Sequence, residues 1–293
     1  MAARSKGRPD DGGTAVDSAG STSTVAAQST AVVPSIAIFV GRERSRAAIR
    51  LAFPRRRARV IAARSSDELA TTLRTTLADA VVIDLGTIGR ETDQAVALAR
   101  EFPSLPFIGI APLRGADGPA LATAAMSDFA DVVIEGIDDS VLRALVAPIG
   151  FSARFANALW NPPKALHLDA PLQQSAWRAV IGRGGRPVRT GDLAGSLGVT
   201  REHLSRSFAA GGCPNLKRVI DLVRLLAAAE LSKNPGYDVR DVARVLGFAS
   251  ASHLSSTTQR VVGTKAASLT RLRAVDIVDR FGQGRGRSRA SAV

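Results

Sequence analysis

The sequence predicts two folds in succession: a doubly wound α/β domain on a five-stranded parallel sheet, then an all-α domain carrying two helix-turn-helix units joined by a long helix. Three observations lead there. Short Val- and Ile-rich runs alternate with helical patterns up to about residue 150; a helix-turn-helix grammar occurs twice between Gly191 and Leu269; and the net positive charge lies in the second half.

Residues 1–34 form a leader rich in Ser, Thr, Ala and Gly, a composition that predicts disorder. Five apolar runs follow in residues 35–150: Ser35–Val40, Ala58–Ala62, Ala80–Leu85, Pro106–Ile110 and Ala130–Ile134. Between them, helical spacing is expected at 42–52, 66–77, 91–101 and 117–127, with another helix from Asp139 onward. Strands alternating with helices in this way imply parallel pairing, with any ligand site at the carboxyl ends of the strands.

From Asp139 to Trp160 an apolar helical pattern leaves this domain, broken around Pro148–Gly150 and stopped by Asn161-Pro162-Pro163. Phe151, Phe155 and Trp160 on this stretch suit a dimer seam, packing between domains or simple core packing. The stretch 151–171 then serves as linker, and a helix opens near Pro171.

Residues 172–275 contain the repeated grammar. One copy runs from Gly191 to Phe208 and the other from Val239 to Leu254. In each, an Ala (Ala194, Ala243) stands four residues before a Gly (Gly198, Gly247). The small Ala lets two helices cross closely, and the Gly can take the positive φ of a tight turn. A hydroxyl suited to cap a helix follows, Thr200 or Ser250, and then a core Leu, Leu204 or Leu254. The amphipathic run Pro214–Lys233 joins the copies; fully helical it spans roughly 30 Å, close to the roughly 34 Å of one DNA turn.

Charge agrees with a polyanionic partner. Residues 1–150 carry 17 basic and 17 acidic residues, whereas 151–293 carry 22 and 9, so the net +13 lies wholly in the second half. The end of the chain, 276–293, is a basic Gly/Arg tail expected to be disordered, either a backbone-binding arm or an inert solubilising end.

Residues ~172–272 resemble the DNA-binding domain of the AraC family of bacterial transcription regulators. The resemblance is carried by Leu193-Ala194, Leu197-Gly198, His203-Leu204-Ser205-Arg206, Phe208, Arg224-Leu225 with Ala228, Val242-Ala243, Gly247-Phe248, Ser252-His253-Leu254 and Gly263. It implies that the first recognition helix, 201–209, enters the major groove with Glu202, Ser205 and Arg206 outward. Helical geometry with Leu204 and Phe208 inward gives the same face and adds His203. Arg206 is the candidate for bidentate contact to guanine. Glu202 either accepts from a cytosine amine or pairs with Arg206 at i,i+4, and Arg201 lies where phosphate passes.

The second helix, 251–262, departs from the family. Ser252, Ser255 and Ser256 turn outward with His253, Gln259 and Arg260. The family commonly has a longer polar or basic residue at Ser256, a Phe at Thr258 and a Pro at Ala266. Short serines reach phosphate or water sooner than base edges, so this helix either reads loosely or positions the protein.

The first domain resembles the receiver domain of two-component response regulators. Asp84 stands where receivers keep the phospho-acceptor, at the end of Val81-Val-Ile-Asp84. The acidic pair that would hold Mg²⁺ is replaced by Phe39-Val40-Gly41-Arg42-Glu43, the hydroxyl position falls near Ala111 and the lysine position near Glu135. Asp84 is thus a candidate phospho-acceptor in a degenerate receiver, or a polar strand terminus.

Other chemistry finds little support. A lone Cys213 and three histidines give no disulfide and no metal-ligand spacing, and no cofactor motif, Gly-rich phosphate loop or nucleophile–base pair stands out. The expectation is a non-enzymatic, cytoplasmic, nucleoid-associated regulator of double-stranded DNA. Its first domain would support homodimerisation or sense an unidentified effector, and no segment would enter a membrane. The competing reading is a loosely specific architectural nucleic-acid binder.

Overall fold

The computed structural model describes residues 33–112, 118, 122, 129–209 and 212–290, with side chains up to Gln283 in the last helix. Most of the expected leader and of the expected helix at 117–127 lies outside the described residues.

The five runs form strands β1 (Ser35–Phe39), β2 (Arg59–Ala62), β3 (Ala80–Asp84), β4 (Phe107–Ala111) and β5 (Asp131–Ile134). All neighbours pair in parallel, in the order β2-β1-β3-β4-β5. This doubly wound order switches direction beside β1, which places a crevice between β1 and β3 at their carboxyl ends. β3 and β4 are buried along their whole length, as central strands covered on both faces must be. Helices α1 (Glu43–Ala52), α2 (Ser66–Thr75) and α3 (Arg90–Glu101) follow the first three strands. Ser65 caps α2 by accepting from the Glu68 amide at 3.1 Å.

The stretch after β5 is two helices, α4 (Leu142–Ile149) and α5 (Phe151–Ala158), broken at Gly150 where ψ reaches 147°. Phe151 and Phe155 are buried and stack with ring centroids 6.0 Å apart, so core packing rather than a dimer seam accounts for both. Trp160 stays half exposed, its ring covered by the Arg178 guanidinium at 4.9 Å.

The all-α region comprises α6 (Pro171–Ile181), α7 (Thr190–Ser196), α8 (Arg201–Ser207), α9 (Leu216–Leu231), α10 (Val239–Val245), α11 (Ala251–Val262) and α12 (Ala274–Ala290). α9 is the buried axis, with Val219, Leu222, Val223, Leu225, Ala227 and Ala228 at or near zero exposure. Its 16 residues rise about 24 Å, less than the sequence suggests, because Asn215 caps it only after Pro214 and Ser232 ends it.

The tail differs from expectation. Its backbone is helical through Ala290, and Ile277, Val278 and Phe281 are buried on one face. These three sit at helical spacing just before the Gly/Arg run, which anchors the helix to the core and lets it propagate into a poor helix-forming sequence. Arg218 of α9 lies over the Phe281 ring at 4.9 Å.

The two regions share one apolar cluster running from Leu69, Leu73 and Phe102 through Trp177 and Leu226 to Val242 and Leu246. The turn between α9 and α10 docks directly on α2 and α3. The Gly236 amide donates to the Glu101 carbonyl at 2.8 Å, Arg74 Nε donates to the Gly236 carbonyl at 3.1 Å, and Tyr237 Oη donates to the Leu73 carbonyl at 3.0 Å. Gly236 is required here by space, since a Cβ would stand 2.5 Å from the Phe102 ring.

Candidate nucleic-acid interface

The two helix-turn-helix units are built by the same bonds. In the first, α7 ends as Gly198 turns to φ +67°, and the Val199 amide donates to the Ala194 carbonyl at 3.1 Å. In the second, α10 ends as Gly247 turns to φ +63°, and the Phe248 amide donates to the Ala243 carbonyl at 2.8 Å. Each is a left-handed glycine closure that satisfies a carbonyl left open at the helix end. Ala194 and Ala243 are both buried where the helices cross. The next helix is capped alike: Thr200 Oγ1 accepts from the His203 amide at 3.2 Å, and Ser250 Oγ from the His253 amide at 3.0 Å.

On α8, Leu204 and Phe208 are buried, while Arg201, Glu202, His203, Ser205 and Arg206 are all exposed. No ion pair forms between Glu202 and Arg206, and this face presents polar side chains that meet no partner among the described residues. Gln173, which sequence reasoning passed over, holds the back of α8. It is buried, and its Nε2 donates to the Ser207 carbonyl at 2.7 Å and to Cys213 Sγ at 3.3 Å. Cys213 is itself buried and donates to the Phe208 carbonyl at 3.3 Å.

On α11, Ser252, His253, Ser256, Gln259 and Arg260 are exposed and Ser255 is half-buried. Several are already engaged within the protein. Ser256 Oγ donates back to the His253 carbonyl at 3.1 Å, and the Ala249 amide donates to His253 Nδ1 at 3.4 Å. Arg260 Nη2 lies 2.9 Å from Asp221 Oδ2 of α9. Thr258 is fully buried where the resemblance implies a Phe, and its hydroxyl is satisfied by the Leu254 carbonyl at 2.8 Å.

Arg224 ties the second unit to the axis helix. Its guanidinium lies 3.8 Å from the Phe248 ring centroid and donates through Nη2 to the carbonyls of Leu246 at 3.1 Å and Gly247 at 3.2 Å. Burial pulls its pKa down from the ordinary arginine value, opposed by the nearby Asp221 carboxylate. A guanidinium alone combines the flat stacking face with the fork that meets two carbonyls.

Residues 193–271 match the family model described as a helix-turn-helix domain. The C-terminal region is a helix-turn-helix domain of the AraC type. The helix-turn-helix domain makes the protein a DNA-binding transcription regulator. Full-length FixJ from B. japonicum, a solved structure, is similar over 77% of this chain and 96% of its own, at 12% identity and a TM-score of 0.36. No curated protein matches the chain. The strand order of the first domain is that of the flavodoxin-like doubly wound folds, with which a receiver-like fold is consistent.

At the carboxyl ends of β1, β3 and β5, an arginine sits between two carboxylates. Arg42 donates through Nε at 2.9 Å and Nη2 at 2.7 Å to Asp84 Oδ1, while its amide donates to Oδ2 at 3.1 Å. Its Nη1 lies 2.6 Å from Glu135 Oε2, and Arg44 Nε is 3.0 Å from Oε1 of the same carboxylate. Ser45 Oγ also donates to Glu135 at 2.8 Å, and the Gly86 amide donates to Asp84 at 3.0 Å. Both acids are almost wholly buried. Asp84 and Glu135 together raise the Arg42 pKa above its ordinary value, outweighing the burial that opposes it. Among the described residues, no group of three or more His, Cys, Asp or Glu could hold a metal ion, and no helix is long and apolar enough to cross a membrane.

Proposed function

We propose that the protein is a sequence-specific regulator in which α8 reads the major groove and α11 chiefly positions the complex. The carrying observation is the contrast between the two outward faces. α8 offers Glu202, Ser205 and Arg206 free of side-chain partners among the described residues, with Arg206 able to make a bidentate guanine contact and Arg201 placed for phosphate. α11 offers short serines, and its Arg260 is held by Asp221, which suits contacts to backbone and water. His203, Ser252, His253, Ser255, Ser256 and Gln259 complete the surface facing DNA.

In this reading the receiver-like domain senses a signal or sets the oligomeric state, and the protein works at the nucleoid in the cytoplasm. Asp84 serves as a permanent partner of Arg42 rather than as a phospho-acceptor, because the Arg42 guanidinium already holds its carboxylate and reaches Glu135 as well.

Selection of binding sites from randomised duplex DNA tests this, with full-length protein, with Arg206→Ala, and at two salt concentrations. The expected result is one enriched motif that loses preference at a single base pair in Arg206→Ala. Binding without an enriched motif, fading steeply in salt, would instead establish a charge-driven architectural binder.

A further inference from the structure

The balanced charge of the first half hides a local excess. The turn between α1 and β2, with the first residue of β2, reads Pro54-Arg55-Arg56-Arg57-Ala58-Arg59, and all four arginines are exposed. Because the sheet is parallel, this turn lies at the amino ends of the strands, opposite the Asp84 cluster.

Arg56 and Arg57 stand with Arg143 of α4 around a pocket of about 320 Å³ whose apolar lining includes Ile36, Phe53 and Val146. None of the three guanidinium groups meets an acid among the described residues. The one carboxylate in the lining, Asp79, is already taken. Its Oδ2 accepts from Arg186 Nη2 at 2.7 Å and from the Ser35 amide at 2.8 Å, and its Oδ1 accepts from the Ser152 amide at 3.2 Å. A pocket with apolar lining and unpaired arginines at its rim has the make-up of a small-molecule site, and its volume is within the usual range.

We propose that this pocket binds a small organic anion, an apolar body carrying a carboxylate or phosphate. The body rests on Ile36, Phe53 and Val146, and the arginines take the charged group, for which their planar fork is suited. The location gives such a ligand a route to the other domain. Asp79, in the pocket lining, bonds both Arg186, in the loop leading to α7, and the start of α5, so a ligand beside it bears on the joint between the two regions. Anion binding here does not depend on how α8 meets DNA.

The test uses full-length protein and two fluorescent probes of similar shape, the anionic 1-anilinonaphthalene-8-sulfonate and the uncharged N-phenyl-1-naphthylamine. The anion is expected to bind saturably and about tenfold or more tightly than its neutral counterpart. In the double variant Arg57→Ala/Arg143→Ala that preference disappears, and Ala147→Trp, at an exposed position in the pocket wall, blocks both probes. Circular dichroism verifies that both variants are folded, as expected for changes at exposed positions. An unchanged preference for the anion in the arginine variant, or undiminished binding in Ala147→Trp, overturns the proposal. An arginine variant that alters only the salt dependence of DNA binding does so too, and makes the turn a phosphate-backbone contact.

Discussion

Arg42 and Asp84, 42 residues apart in the chain, meet across the mouth of the sheet with Nη2 2.7 Å from Oδ1, and the same guanidinium reaches Glu135 at 2.6 Å. Two buried carboxylates side by side are stabilised by a cation, and this protein supplies it as the Arg42 side chain. Arg42→Ala leaves Asp84 without its cation and Glu135 with Arg44 alone. The expected loss is about 3 kcal/mol of unfolding free energy, at the low end of the range for broken buried pairs because Arg42 keeps 24% of its side chain exposed. Urea denaturation measures it, and adding Asp84→Asn to the same chain should recover part of the loss.

The two turn glycines are needed for different reasons. At Gly198 a Cβ would meet nothing within 4 Å, so Gly198→Ala costs only the left-handed backbone, about 1 kcal/mol. At Gly247 the Cβ would stand 2.7 Å from Pro187 Cγ, and Gly247→Ala is expected to cost clearly more. Thermal unfolding of the two variants side by side gives the difference. An equal cost would mean that Pro187 yields.

Tyr237 gives the joint between the two regions an alkaline limit. Burial pushes its phenol far above the ordinary value of 10, Asp241 adds to the shift and Arg74 opposes it. A proton held more tightly in the folded state means stability that is complete below about pH 10 and declines as pH rises towards the folded value. Tyr237→Phe should lose about 1 kcal/mol at neutral pH, from the bond to the Leu73 carbonyl, and should lack this alkaline decline. Urea midpoints taken from pH 7 to 11 test both parts.

Asp221 restrains a positive charge on the outer surface of α11. Asp221→Asn keeps the shape and removes the charge that holds Arg260 at 2.9 Å. Non-specific duplex binding should then tighten at low salt, with the slope of log K against log salt steeper by about one phosphate contact. An unchanged slope would show that Arg260 lies away from the backbone.

Much of the fold was legible because its signals are local. The alternating runs located all five strands to within a residue or two, since buried parallel strands need continuous β-branched stretches and the turns between them do not. The helix-turn-helix units were legible for a related reason: Ala194 with Gly198 and Ala243 with Gly247 answer steric demands made within five residues of chain. What the sequence left open or misread concerns packing partners. The apolar face of Phe151 and Phe155 announces burial without saying against what. The Gly/Arg run after Gly282 announces disorder, whereas Ile277, Val278 and Phe281 just before it anchor a helix.

The sequence by itself determined the element order, the two turns and caps, and the outward placement of Glu202, Ser205 and Arg206, because period and backbone conformation are set by near neighbours. Only the tertiary structure decided that Arg42 bridges Asp84 and Glu135, that Gly236 and Tyr237 lock the DNA-binding region onto α2 and α3, that Asp221 holds Arg260, and that Arg56, Arg57 and Arg143 share one pocket. Those relations join residues far apart in the chain. They depend on which strands pair and which helices cross, and a long-range contact leaves no periodic trace in the residues that make it.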